Sequence, residues 1–134
     1  MNIRFLSLVA STALLATLAM PADAAGPQGQ WSGVIQQANT DVRVDATFGA
    51  AQVDLRFDEP FACRISASFV TTRDTANVYR FKPSVNGGRF CDDLTSKEFT
   101  VKPAPPKAGE PVTWLISFSS KRADWTGRLQ QQAP

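Results

Sequence analysis

The sequence predicts an all-β fold: a small antiparallel barrel of eight or nine strands with one disulfide, a β-sandwich being the alternative. Three observations predict it. Beyond residue 30 the apolar residues recur with period two, and no segment there carries a helical period. The two ends of that region also nearly repeat each other. Trp31-Ser32-Gly33-Val34-Ile35-Gln36-Gln37 and Trp125-Thr126-Gly127-Arg128-Leu129-Gln130-Gln131 share four of seven residues, with conservative Ser/Thr and Ile/Leu pairs. In an all-β chain, matched ends predict that first and last strands lie side by side, sealing a barrel and removing exposed edges.

Residues 1–24 read as a signal peptide. Arg4 supplies the positive start, Phe5 to Met20 an apolar run of sixteen residues, and Ala22-Asp23-Ala24 the small-x-small cleavage pattern. The run is short for a membrane span, which needs about 20 apolar residues, and no second run follows, so stable membrane insertion is not expected. No Cys stands at the cleavage point, so a lipid anchor is not expected either. Residues 25–134 then form a single exported domain, periplasmic or secreted, large enough for one core. Removing Arg4 and Asp23 leaves the net charge at +2, and a small charge on an exported chain argues against nucleic acid.

The strands follow in order. After the opening strand, Val42, Val44, Ala46 and Phe48 alternate with polar residues, as do Val53, Leu55 and Phe57. A two-residue turn at Gly49-Ala50 sets Ala46 opposite Val53 and Val44 opposite Leu55, with both apolar rows on one face. Its outer face then pairs Asp45 with Asp54 and Arg43 with Arg56, a like-charge ladder relieved only by its diagonals. Asp58-Glu59-Pro60 reads as a turn, and Phe61, Cys63, Ile65, Ala67 and Phe69 as the longest alternation. Val78 to Phe81 is a short strand, followed by a tight-turn signal at Asn86-Gly87-Gly88. Phe90 and Cys91 start the next strand in this reading. Phe99 and Val101 mark another, ended by Pro103, Pro105 and Pro106. Trp114, Ile116 and Phe118 alternate before a polar turn with Lys121-Arg122 at its tip, and the strand from Trp125 closes the chain.

Cys63 and Cys91 are the only cysteines, and an oxidising compartment joins them. Closing that loop contributes about 3.5 kcal/mol in the chain-entropy view. Two Cys without any His do not complete the usual zinc site, so no metal and no cofactor are expected. The absence of His also removes Ser-His-Asp and Cys-His catalysis, and no phosphate-cradling glycine loop follows a strand. Asp58-Glu59 and Asp92-Asp93 are adjacent carboxylates, but neighbours on a strand point to opposite faces. An enzyme is not expected.

The remaining candidates are aromatic or basic. Trp31, Trp114 and Trp125 fall on strands that become neighbours when the barrel closes, which predicts one shared cluster capping an end, or a ligand rim. Arg128 falls near Trp31 in that arrangement, within reach of a cation–π contact. Tyr79, followed by Arg80 and Lys82, reads as barrel wall, a contact patch being the alternative. Phe48, Phe57, Phe61, Phe69, Phe81 and Trp114 are enough to fill a narrow interior.

Gly29-Gln30-Trp31 resembles the Gly-x-Trp that opens the first strand of the calycin barrels, among them lipocalins, avidin-like proteins and small bacterial periplasmic metallopeptidase inhibitors. Arg128 resembles the lipocalin partner of that Trp. The likeness covers three residues and the overall design. It implies a barrel without catalytic residues and, on the inhibitor side, an N-terminal arm over residues 25–29 that enters a target cleft. The expectation is therefore a non-enzymatic exported binding protein that acts through a protein surface, inhibiting a hydrolase or toxin of the cell envelope or beyond it. Gly26, Pro27 and Gln28, or Lys121 and Arg122, are its expected contacts. An apolar-ligand carrier with a barrel cavity and a structural envelope protein are the alternatives.

Overall fold

Eight antiparallel strands follow one another round a closed barrel, each paired with its neighbours in sequence and the last with the first. The structure is a computed structural model and describes residues 26–85, 87–105 and 107–132. The expected signal peptide and Ala25 lie outside the described residues, as do Asn86 of the expected tight turn and Pro106 of the expected proline stop. The strands are β1 (Gly29–Gln37), β2 (Thr40–Phe48), β3 (Gln52–Phe57), β4 (Cys63–Arg73), β5 (Ala76–Phe81), β6 (Glu98–Pro103), β7 (Thr113–Ser119) and β8 (Asp124–Gln131). One short helix, α1 (Arg89–Leu94), interrupts them between β5 and β6. Closure decides for the barrel over the sandwich.

The seam between β1 and β8 is where the two matching segments meet. They run antiparallel, so the match becomes a local two-fold relation: Gly33 lies opposite Leu129 and Gly127 opposite Ile35. The glycine of each segment thus receives the branched aliphatic of the other. Neither glycine has room for a side chain. A Cβ on Gly33 would collide with the carbonyl oxygen of Arg128, and one on Gly127 with the carbonyl oxygen of Val34. Both obstacles are backbone, which cannot swing aside.

Two local expectations are corrected. The β2–β3 hairpin sits two residues from the expected register: Ala46 faces Leu55, Phe48 faces Val53 and Val44 faces Phe57. The turn is Ala50-Ala51, with the Gly49 N–H donating to the Gln52 carbonyl at 2.8 Å. A slip of two keeps every side chain on its expected face but exchanges the charged partners, so Asp45 now lies opposite Arg56. Like charges no longer oppose each other there, and this is the physical reason to favour the observed register.

The second correction concerns Phe90 and Cys91, which open no strand but belong to α1. In a strand two consecutive apolar side chains point to opposite faces; in a helix Phe90, Cys91 and Leu94 fall on one side. Cys91 and Leu94 are fully buried, and Asp92 points to solvent. The ninth strand of the sequence reading is therefore this helix. The disulfide is present, with Cα atoms 6.2 Å apart, and it ties α1 to the first residue of β4.

The interior is filled by aromatic rings. Phe48 meets Tyr79 edge-on, Tyr79 stacks on Phe99 at 5.1 Å, Phe99 packs on Phe81, and Phe81 on Phe118. Phe118 then stacks on Trp125 at 6.5 Å. This chain of contacts runs from one mouth to the other, with Ile35, Leu55, Ile116 and Leu129 packed round it. The barrel has two unlike ends. One holds the 49–52 and 74–75 turns, residues 107–112 and the residues leading into β1. The other holds the 38–39 turn, the 58–62 turn, α1 and the 120–123 turn.

Two predictions arise here. Gly33→Ala and Gly127→Ala should each destabilise the protein by about 1–3 kcal/mol in urea unfolding, through overpacking against backbone. Gly49→Ala meets only the Gln52 carbonyl at 3.4 Å and should change little. Equal effects at all three would remove the seam from its role. Burial also pushes the Tyr79 hydroxyl above its ordinary pKa of 10.0. The folded chain holds that proton longer than the unfolded chain, so stability is intact below about pH 10 and declines as pH rises past it. Tyr79→Phe should flatten this alkaline decline when unfolding is followed at increasing pH.

Candidate functional site

Of the two mouths, the one at the start of β1 is occupied by the chain itself. Gly26 lies so close to Asn77 that a Cβ there would strike the Asn77 amide nitrogen, and Pro27 is buried. Asn77 is 9% exposed, and its carbonyl oxygen accepts from the Thr72 hydroxyl at 3.1 Å. The Trp31 indole N–H donates to the Gln28 carbonyl at 2.9 Å, and the Gln28 amide donates to the Gly49 carbonyl at 3.3 Å. Beneath this segment Trp31 and Trp114 meet edge to face at 6.5 Å. Gly26, Pro27 and Gln28 are therefore packed as a lid across this mouth rather than extended as an arm.

The outer wall over β2, β3 and β4 forms a broad trough of about 1500 Å³. Several of its polar groups answer one another. Arg43 pairs with Asp45 at 3.6 Å, Arg56 with Asp58 at 3.9 Å, the Ser66 hydroxyl donates to Asp54, and Lys82 donates to Gln52 at 2.8 Å. Such exposed pairs contribute little stability, and Arg64 and Glu59 line the same trough without an ion-pair partner among the described residues.

The other mouth differs in kind. It holds a pocket of about 290 Å³ between α1, the 58–62 turn and the 120–123 turn. Phe61 and Phe90 stack face to face in it at 3.8 Å with planes 2° apart. Trp125 stands edge-on to both, at 5.6 Å and 5.7 Å. The local sequence explains this geometry. Phe61 is held in the tight 58–62 turn by its N–H bond to the Asp58 carbonyl at 3.1 Å, so it lies outside β4. Phe61 is two residues before Cys63, and Phe90 directly precedes Cys91, so the disulfide brings the two rings together. Trp125 enters from the start of β8 and is 3% exposed, yet its indole N–H has no hydrogen-bond partner.

Charge is distributed on the rim. Lys121 reaches from the 120–123 turn to Asp93 of α1 at 3.7 Å, bracing helix against turn. Arg89 and Arg122 line the pocket, and neither has an ion-pair partner among the described residues. The Ser120 hydroxyl is already engaged, donating to the Ala123 carbonyl at 3.2 Å and accepting from the Arg122 N–H at 3.4 Å.

Sequence-predicted residues are thus divided. Lys121, Arg122 and Trp125 come together at this mouth, while Trp31 and Trp114 meet at the opposite one, so the three tryptophans form no single cluster. Antiparallel pairing at the seam is the reason, since it sends the starts of β1 and β8 to opposite ends. Arg128 lies opposite Val34 on the outer face, whereas Trp31 points inward, so the two do not stack. Phe61, Phe90, Arg89 and Asp93 were not foreseen as site residues. The signal was present: each cysteine of the expected disulfide has a phenylalanine within two residues of it. No group of three or more His, Cys, Asp or Glu side chains that could hold a metal occurs among the described residues. No helix among them is long and apolar enough to cross a membrane.

Replacing both cysteines by Ala should cost about 2–5 kcal/mol of stability. It should also separate Phe61 from Phe90, read as a loss of near-ultraviolet circular dichroism and a change in Trp125 fluorescence. Unchanged stability in an oxidised sample would show that the bridge constrains nothing. No protein-family model, no curated protein and no solved structure matches this chain.

Proposed function

We propose that the chain is a non-enzymatic, exported binding protein whose contact surface is the barrel mouth carrying α1 and the 120–123 turn. The observation that carries this reading is the asymmetry of the two mouths. One is covered by residues 26–28, whereas the other keeps a ring-lined pocket of about 290 Å³ under a basic rim. Trp and Arg are the side chains that most often anchor protein–protein contacts, and here Trp125, Arg89 and Arg122 stand together beside two phenylalanines. The filled interior supports a surface role over a carrier with a cavity along the barrel axis. Inhibition of a hydrolase or protection against a toxin is the concrete form we favour, with the partner a protein in the cell envelope or outside it.

The Gly29-Gln30-Trp31 opening supports a second reading, in which the inhibitor-like contact is made by residues 25–29. The packing of Gly26 and Pro27 against Asn77 weighs against it.

Native mass spectrometry on the protein released gently from its own cell envelope tests both readings. A co-purified protein should be lost with Lys121→Glu and Arg122→Glu and retained with Pro27→Ala and Gln28→Ala. The reverse pattern would move the contact to the N-terminal segment, and a complex indifferent to all four changes would overturn both assignments.

A further inference from the structure

The pocket beside α1 carries an unbalanced set of hydrogen-bonding groups. Arg89 and Arg122 offer guanidinium donors without ion-pair partners among the described residues, and the ring of Trp125, whose buried indole N–H has no hydrogen-bond partner, lines the pocket beside them. The carboxylate of Asp93 is matched by Lys121, and the Ser120 hydroxyl by Ala123 and Arg122. Gln37 also lines the pocket and its side-chain amide offers a neutral acceptor, so what the pocket lacks is a charged acceptor free to meet the guanidiniums. Hydrogen bonds from a guanidinium to a carboxylate are charge-assisted and stronger than neutral ones, so an occupant that supplies a carboxylate gains most from this rim. The lining also selects the rest of the occupant. Phe61, Phe90 and Trp125 offer ring faces and edges, and an apolar cavity of about 150 Å³ is enough for benzene. At about 290 Å³ the pocket has room for one aromatic ring and a short acid-bearing chain.

We infer that this pocket binds the C-terminal aromatic residue of a partner polypeptide, with the ring against Phe61, Phe90 and Trp125 and the free carboxylate held by Arg122 and Arg89. The proposal rests on the protein-surface reading above and specifies which part of the partner is recognised. A planar guanidinium fork matches a carboxylate in two-pronged geometry, which a peptide amide does not reproduce. Discrimination therefore lies in the terminal charge as much as in the ring.

The test is a titration of the intact, disulfide-bonded protein with a short peptide ending in phenylalanine, as the free acid and as the C-terminal amide. Binding is read from the indole N–H resonance of Trp125, assigned with Trp125→Phe, and from tryptophan fluorescence. The free acid should bind about tenfold or more tightly than the amide. Arg122→Gln and Arg89→Gln should remove most of that difference while leaving the circular dichroism spectrum unchanged. Equal affinity for acid and amide would overturn carboxylate recognition. Binding of 3-phenylpropionate as tight as that of the peptide would overturn the polypeptide source and make a free aromatic acid the ligand. Failure of every probe while the co-purified complex persists and still depends on Arg122 would overturn this inference and leave the protein-surface reading standing.

Discussion

Two missing side chains hold the barrel shut. At the β1–β8 seam, Gly33 and Gly127 let the backbones come so close that a Cβ on either would fall on the opposite carbonyl. Everything else follows from that contact. It gives β1 a second neighbour, so the sheet has no free edge to cover or charge. It also shapes an interior narrow enough for rings in edge and stacked contact to fill it, from Phe48 through Tyr79 and Phe99 to Phe118. The same closeness that closes the sheet thus leaves the barrel axis lined with packed rings.

With the interior full, differences between the two mouths decide what the molecule offers to others. One mouth is finished by the chain: Pro27 and Gly26 pack down on Asn77, and Gln28 is tied to Trp31 and Gly49. The other is spanned by a six-residue helix too short to cover it. That helix is held by one covalent bond through Cys91, by buried Leu94, and by the ion pair from Asp93 to Lys121. The pocket is the space left between helix and turn. Its walls come from four separate stretches of chain: the end of β1 at Gln37, the 58–62 turn, α1, and the 120–123 turn with the start of β8.

Much of this was legible in the sequence, for physical reasons that can be named. Period-two alternation exposed the strands because each buries one face, and the repeated Trp-Ser/Thr-Gly ends exposed the seam because both strands meet the same steric demand. The expected single tryptophan cluster overlooks a consequence of that repeat: in antiparallel strands it is a two-fold relation, which sends Trp31 and Trp125 to opposite mouths. The β2–β3 register was misread by two residues because face alternation is blind to a shift of two. The charges of Asp45, Asp54 and Arg56 held the missing information. The helix was hidden because six residues give too few turns for a period to show, although Phe90, Cys91 and Leu94 already had helical spacing. The aromatic pocket depends on contacts between residues about thirty positions apart, which only the Cys63–Cys91 bond brought within view.

The seam also bears on when the barrel can form. Trp31 pairs with Gln131, about a hundred residues along the chain, whereas every other ladder joins neighbours in sequence. Closing so long a loop is entropically costly and slow, so hairpins can assemble while the sheet is still open. Until β8 arrives, β1 and β7 each present a bare row of backbone donors and acceptors. A chain synthesised start-first would therefore remain an open sheet until its last residues were free. It would become a barrel in a single late step, once its last strand was free to slide between the two that wait for it.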